Sequence, residues 1–291
     1  KRAFKFPLLG KQTKFIAIPT TSGTGSEVTP FAVISDKANN RKYPIADYSL
    51  TPTVAIVDPA LVLTVPGFVA ADTGMDVLTH ATEAYVSQMA SDFTDGLALQ
   101  AIKLVFENLE SSVKNADFHS REKMHNASTI AGMAFANAFL GISHSMAHKI
   151  GAQFHTIHGR TNAILLPYVI RYNGTRPAKT ATWPKYNYYR ADEKYQDIAR
   201  MLGLPCSTPE EAVEAYAKAV YELGERCGIE MNFKAQGIDE KEWKKHSREL
   251  AFLAYEDQCS PANPRLPMVD HMQEIIEDAY YGYKERPGRR K

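Results

Sequence analysis

From Met124 to His148 the chain carries no formal charge, and this stretch limits the possible folds more than any other. Apolar residues recur through it at helical spacing, so most of its faces must be kept from water. It is long enough to span a bilayer, yet His125, Asn126, Ser128, Thr129, Asn137, Ser143 and His144 interrupt it. That density of polar groups predicts a buried helical hairpin rather than a membrane span. The composition agrees. A hydrophobic content of 44% supplies a core for one or two domains, and 34 Lys and Arg against 33 Asp and Glu leave no charge excess to attract nucleic acid or an anionic membrane. Cys206, Cys227 and Cys259 are odd in number and lack CxxC spacing, which argues against a disulfide framework or a cysteine zinc site and fits a reducing cytoplasm.

The texture changes along the chain. Short apolar runs at Phe15–Ile18, Phe31–Ile34 and Val54–Val57, bounded by Gly, Pro and Thr, read as strands. From about Gly67 the windows Ala70–Ala90, Asp95–Val113, Arg121–Leu140, Glu210–Cys227 and Lys241–Tyr255 carry apolar residues at helical spacing. We therefore expect an α/β portion over 1–66 and a larger, all-helical portion over 67–291. Asn173–Asp192 reads as a surface loop and Lys284–Lys291 as a solvated basic tail; the acceptor patterns at Asn126 and Asn173 read as chance matches. The chain enters a strand-like segment almost at Lys1 without a methionine, as a fragment would.

Three segments can carry chemistry. Asp76 and His80 are four apart in a helical pattern, so their side chains stack on one face and can grip one ion. Gly141–Gly159 holds His144, His148, His155 and His158 beside a lead-in too apolar for a surface, and imidazoles gather in this way for metal binding or proton transfer. One Asp with three of those four His would suit a first-row divalent cation without separating iron from zinc. Ile18–Thr29, a strand followed by hydroxyls and glycines, can hold a diphosphate or form an ordinary polar turn.

Together with Lys42–Pro59 and Asp257–Arg265, these motifs resemble the iron-dependent (group III) alcohol dehydrogenases, and more closely the alcohol dehydrogenase domain of the bifunctional aldehyde-alcohol dehydrogenases of fermentative microbes. The resemblance runs from about Phe6 to Tyr283. It implies the remnant of an α/β dinucleotide-binding domain followed by an all-α domain, the dehydroquinate synthase-like or iron-type alcohol dehydrogenase fold. It places metal ligands on Asp76, His80, His144 and His158. It leaves His148 unligated beside the nicotinamide as the catalytic proton relay, puts Thr20, Thr21, Gly23, Thr24, Phe31, Lys42 and Leu61 along NAD, and gives His155 no fixed role. A preceding βαβ portion that supplies the glycine-rich pyrophosphate loop in the family is not seen before Thr20, and Arg160 stands where an apolar residue is expected, which could alter the substrate mouth.

The implied activity is metal-dependent, NAD(H)-linked interconversion of a short primary alcohol and its aldehyde, acetaldehyde to ethanol in fermentation, by a cytoplasmic homo-oligomer that can belong to a filament-forming bifunctional enzyme. Iron is the favoured metal and zinc the alternative. Two other readings compete. A metal-dependent hydrolase or lyase needs a carboxylate general base, for which Glu83, one turn beyond His80, is the candidate. A non-enzymatic filament-assembly module needs neither metal nor nucleotide turnover.

Overall fold

The computed structural model describes residues 13–36, 41–177 and 189–282, and at 35, 36 and 41–44 the backbone alone. Four short strands come first: β1 (Ile16–Ala17), β2 (Phe31–Asp36), β3 (Arg41–Ala46) and β4 (Val54–Ala55). β1 and β4 pair in parallel, and β2 and β3 form an antiparallel ribbon with Phe31 opposite Ala46. The strand-like runs at Phe15–Ile18 and Val54–Val57 are therefore ladders of two residues each, and β3, with Pro44 inside it, had no apolar run to announce it. Nine helices follow among the described residues: α1 (Gly67–Val86), α2 (Asp92–Lys114), α3 (Phe118–Ala138), α4 (Ile142–Phe154), α5 (His158–Gly174), α6 (Ala191–Met201), α7 (Pro209–Arg226), α8 (Glu240–Tyr255) and α9 (Val269–Tyr281). The expected combination of an α/β remnant and a larger helical part is the architecture observed.

Several helix starts are dictated locally. Ser91 and Thr94 form a capping box at α2, Asp117 accepts from the Ser120 N–H at α3, and Asp239 accepts from the Lys241 and Glu242 N–H groups at α8. The uncharged stretch forms parts of α3 and α4, but the two helices bend by 106°, a corner rather than the expected hairpin. Phe139 takes a left-handed φ of 61° at the end of α3. Gly141 then passes so close to α1 that a Cβ there would lie 2.7 Å from Asn263 Oδ1 and 2.9 Å from Glu83 Oε1. No single described helix is long and apolar enough to cross a membrane.

The expected loop at Asn173–Asp192 is shorter than its sequence suggests, because α5 continues through Gly174 and α6 begins at Ala191. Trp183 and Pro184, like the tail from Lys284, lie outside the described residues. Asn173 is fully buried and exchanges amide hydrogen bonds with Asn263 at 2.7 and 3.1 Å, so its acceptor pattern is structural coincidence.

Two apolar clusters build the helical part. One joins α1, α2, α3, α6 and α7; the other joins α4, α8 and α9. Helix α5 belongs to both, giving Ala163, Leu166 and Ile170 to the first and Ile164, Leu165, Tyr168 and Val169 to the second. A helix apolar on all sides must be buried on all sides. Anything carried by α1 and α4 therefore meets at the seam between the cores, beside the N-terminus of α5. The second core rests on Trp243, which is fully buried and packs against Phe154, Phe233 and Tyr280 at ring-centroid distances of 5.2, 4.9 and 4.8 Å. Trp243→Ala should cost about 3–5 kcal/mol of stability, read as a lower denaturation midpoint, because the surrounding rings cannot collapse into the space.

Candidate metal centre

On α1, Asp72, Asp76, His80 and Glu83 fall at helical spacing along one face, and all four are buried. Opposite them α4 presents His144, which is 1% exposed, and one turn later His148. One donor atom from each of Asp76, His80 and His144 lies within 4.8 Å of the others. His80 and His144 stack at 4.6 Å between ring centroids, with Phe135 stacked on His80 at 4.5 Å. His158, the first residue of α5, closes the group: its Nε2 is 3.8 Å from Asp76 Oδ1 and its ring lies 5.4 Å from that of His144. The four residues expected as ligands thus come together from three helices.

The chemistry of this group is incomplete without a cation. His80 Nδ1 and His144 Nε2 are buried and have no hydrogen-bond partner among the described residues, a costly state for ring nitrogens. Burial pushes the pKa of both imidazoles down, furthest for His144, so both are neutral and able to ligate. Burial alone would raise the Asp76 carboxyl, but the charge that His80, His158 and His144 carry when protonated and a hydrogen bond from Asn162 outweigh it and hold it low. Ionised carboxylate and neutral imidazole are the forms a divalent ion needs, so the residues present fit one.

A second set of residues aims the first. His144 Nδ1 lies 2.6 Å from Glu83 Oε2, and Glu83 Oε1 accepts from the Ser143 N–H at 2.7 Å. Burial pushes the Glu83 carboxyl up to about 7 against those hydrogen bonds. Gly141 offers no side-chain cap to α4, and the Glu83 carboxylate takes that place from across the seam. With both oxygens so engaged, Glu83 orients His144 and is not the general base that a hydrolase would need. Asn162, one turn after His158, donates to Asp76 Oδ1 at 2.8 Å. Its i,i+4 spacing from His158 was the available signal, and sequence reasoning passed over it.

His148 stands apart from this set. Its Nδ1 donates to Asp257 Oδ2 at 3.2 Å, and its ring stacks on His158 at 5.5 Å with planes 10° apart. Asp257 also takes the Lys149 ammonium at 2.7 Å. Burial would raise the Asp257 carboxyl, yet His148 and Lys149 together hold it well below the usual carboxylate range. Asp257 heads one of the recognised motifs, but only the fold brings it to His148. His155 ends α4 in the left-handed region and is exposed.

The loop after β1 carries the first of the residues expected along the dinucleotide. Its glycines approach helices: a Cβ on Gly23 would lie 2.7 Å from Thr73 Cβ, and one on Gly25, at φ 57°, 2.7 Å from Gly132 Cα. Gly23 also accepts a hydrogen bond from His80 through its carbonyl, which sets the loop beside the metal group. Thr20 and Thr24 are exposed, Thr21 and Phe31 half-buried, and Leu61 is 43% exposed. Phe31 stacks on Phe135, the ring that covers His80. Lys42 lies in β3, and its side chain is outside the described residues. Arg160, which stands where an apolar residue is expected, places its fork on Asp72, with Nε–Oδ1 at 2.9 Å and Nη2–Oδ2 at 3.1 Å.

Comparison with known families decides between the readings that such a group leaves open. Residues 70–280 match the model of the Fe-containing alcohol dehydrogenase family, C-terminal, and residues 3–59 match that of iron-containing alcohol dehydrogenase. The chain belongs to the iron-containing alcohol dehydrogenase family. An aldehyde-alcohol dehydrogenase of Streptococcus pneumoniae serotype 2 is 97% identical over 100% of this chain and 33% of its own length. The chain thus spans about a third of the curated relatives it matches first. Among solved structures, the iron-containing alcohol dehydrogenase from Thermococcus thioreducens is 37% identical with a TM-score of 0.81, over 93% of this chain and 65% of that one. Sulfoacetaldehyde reductase from Bifidobacterium kashiwanohense, solved in complex with NAD+, is 30% identical with a TM-score of 0.76, over 91% and 64%. These iron-type enzymes share the fold in which Asp76, His80, His144 and His158 are gathered.

Proposed function

We propose that the chain holds the metal centre of an NAD(H)-linked alcohol dehydrogenase that interconverts a short primary alcohol and its aldehyde, acetaldehyde to ethanol in fermentation. The observation that carries this is the meeting of Asp76, His80 and His144 within 4.8 Å, with two buried ring nitrogens that have no hydrogen-bond partner among the described residues and His158 beside them. Asp76, His80, His144 and His158 hold the divalent ion, with iron the expected metal and zinc the alternative. Once bound, that ion supplies Lewis-acid polarisation of the substrate oxygen, and NAD supplies the hydride chemistry. Glu83 sets the tautomer of His144, and Asn162 turns Asp76 toward the site. His148 is the catalytic residue that moves the proton: Asp257 fixes Nδ1 as a donor, which leaves Nε2 to accept or release the alcohol proton.

Thr20, Thr21, Gly23, Thr24, Phe31, Lys42 and Leu61 line the dinucleotide in this reading, supported by the contact of Gly23 with His80 and of Phe31 with Phe135. The same reading makes 1–66 the end of a dinucleotide-binding domain and 67–291 the helical catalytic domain. The change from short strands to long helices between Ala55 and Gly67 supports that division. The whole protein would work in the cytoplasm as a homo-oligomer within a filament-forming bifunctional enzyme. The test is anaerobic purification of the polypeptide that carries this chain. It should hold one divalent metal per site and, when loaded with Fe2+, oxidise NADH in the presence of acetaldehyde. Large assemblies without metal-dependent NADH oxidation would overturn the proposal.

A further inference from the structure

Two rungs connect α1 with the start of α5. Asp76 Oδ1 receives Asn162 Nδ2 at 2.8 Å and lies 3.8 Å from His158 Nε2. One helical turn earlier, Asp72 receives the Arg160 fork at 2.9 and 3.1 Å, and Arg160 Nη1 also donates to Gln236 Oε1 at 3.4 Å. The Asp72 side chain is 3% exposed. Between the rungs the backbones nearly touch: a Cβ on Gly159 would lie 2.2 Å from the Asp72 carbonyl oxygen.

His158 is the most exposed member of the metal group, with Asn162 Nδ2 at 3.3 Å from its Nε2 and its ring stacked on His148. Its side chain is 44% exposed, against 1% for His144 and 7% for Asp76. It opens a helix whose N-cap, Ile157, offers no side-chain cap, and it follows a turn that leaves α4 through left-handed His155. Those contacts orient the ring from within the site, and how far it reaches also depends on what fixes the backbone beside it. The residue two positions on that does so is Arg160, whose planar fork sets orientation as well as distance.

We infer that the Arg160–Asp72 pair is a positioning device for His158, locking the start of α5 in register with α1 so that the imidazole reaches the group around Asp76. The inference rests on the proposed role of His158 as a metal ligand. It accounts for the charged residue at 160: the guanidinium is a strut behind the metal group.

Co2+ binding to the metal-stripped protein, followed by its visible absorption bands, tests this apart from turnover. Arg160→Gln and Asp72→Asn should each raise the Co2+ dissociation constant roughly tenfold and weaken the bands of the bound ion. The double variant should be no worse than either single one, because both remove the same rung. Arg160→Lys, which keeps the charge but loses the fork, should restore little. Arg171→Gln breaks a similar pair, with Glu214 at 2.7 Å, at the other end of α5 and should leave Co2+ affinity unchanged. Unaltered Co2+ binding in Arg160→Gln together with clear loss in His158→Gln would overturn the inference and leave the metal assignment standing. Equal weakening by Arg171→Gln would also overturn it, since the effect would then be general loosening of the helix. Unaltered binding in His158→Gln would remove the assignment on which the inference depends.

Discussion

His144→Gln should abolish metal binding and turnover together. The side chain is 1% exposed, its Nε2 has no hydrogen-bond partner among the described residues, and its Nδ1 is held at 2.6 Å by Glu83. Glutamine can offer an amide to Glu83 but no imidazole lone pair to the ion. Losing a ligand should exceed the roughly 10–100-fold loss typical of removing only the group that orients one. Metal content per chain and NADH oxidation measured on the same preparation check it, with near-ultraviolet circular dichroism reporting whether the seam has kept its packing. A variant that binds one metal as tightly as the parent would remove His144 from the ligand set.

His148→Gln should separate the two properties. Asp257 engages His148 Nδ1 at 3.2 Å, and the His148 side chain is 31% exposed, so its loss takes no donor from the buried group of Asp76, His80 and His144. Metal stoichiometry should stay at the parent value while kcat falls about a hundredfold or more, the usual cost of lost general acid–base help. The pH dependence of kcat should change shape. Asp257→Asn should fall between the parent and His148→Gln, because the ring would remain but its tautomer and orientation would no longer be set. Loss of metal from His148→Gln equal to that from His144→Gln, or full turnover with an unchanged profile, would refute the separation.

Local patterns carried much of this site. Asp76 and His80 share a face because a helix repeats every 3.6 residues, and that repeat is legible in Gly74–Tyr85 without any tertiary knowledge. The same spacing relates His144 to His148, and it also relates His158 to Asn162 and Asp72 to Asp76, where nothing in the spacing marked out the polar partners. Glu83 was legible as a carboxylate near the histidines, but its task was not. Whether it meets water or a ring nitrogen depends on where α4 begins in space, and the close passage of Gly141 decides that. The glycines of Thr20–Ser26 show the same limit. A missing Cβ permits close approach without naming what approaches, and here the neighbours are Thr73 and Gly132.

What the amino-acid sequence determined by itself is therefore whatever depends on near neighbours: the change from short strands to long helices, the burial demanded by the uncharged stretch, the caps of α2, α3 and α8, and the pairing of ligand types four residues apart. The tertiary structure alone decided the corner between α3 and α4, the union of Asp76, His80, His144 and His158, the anchoring of His148 by Asp257 and the turning of Arg160 onto Asp72. Each of these joins residues remote along the chain. Their meeting depends on how two apolar cores share α5, and that packing is a property of whole helix surfaces with no trace in the spacing of any single segment.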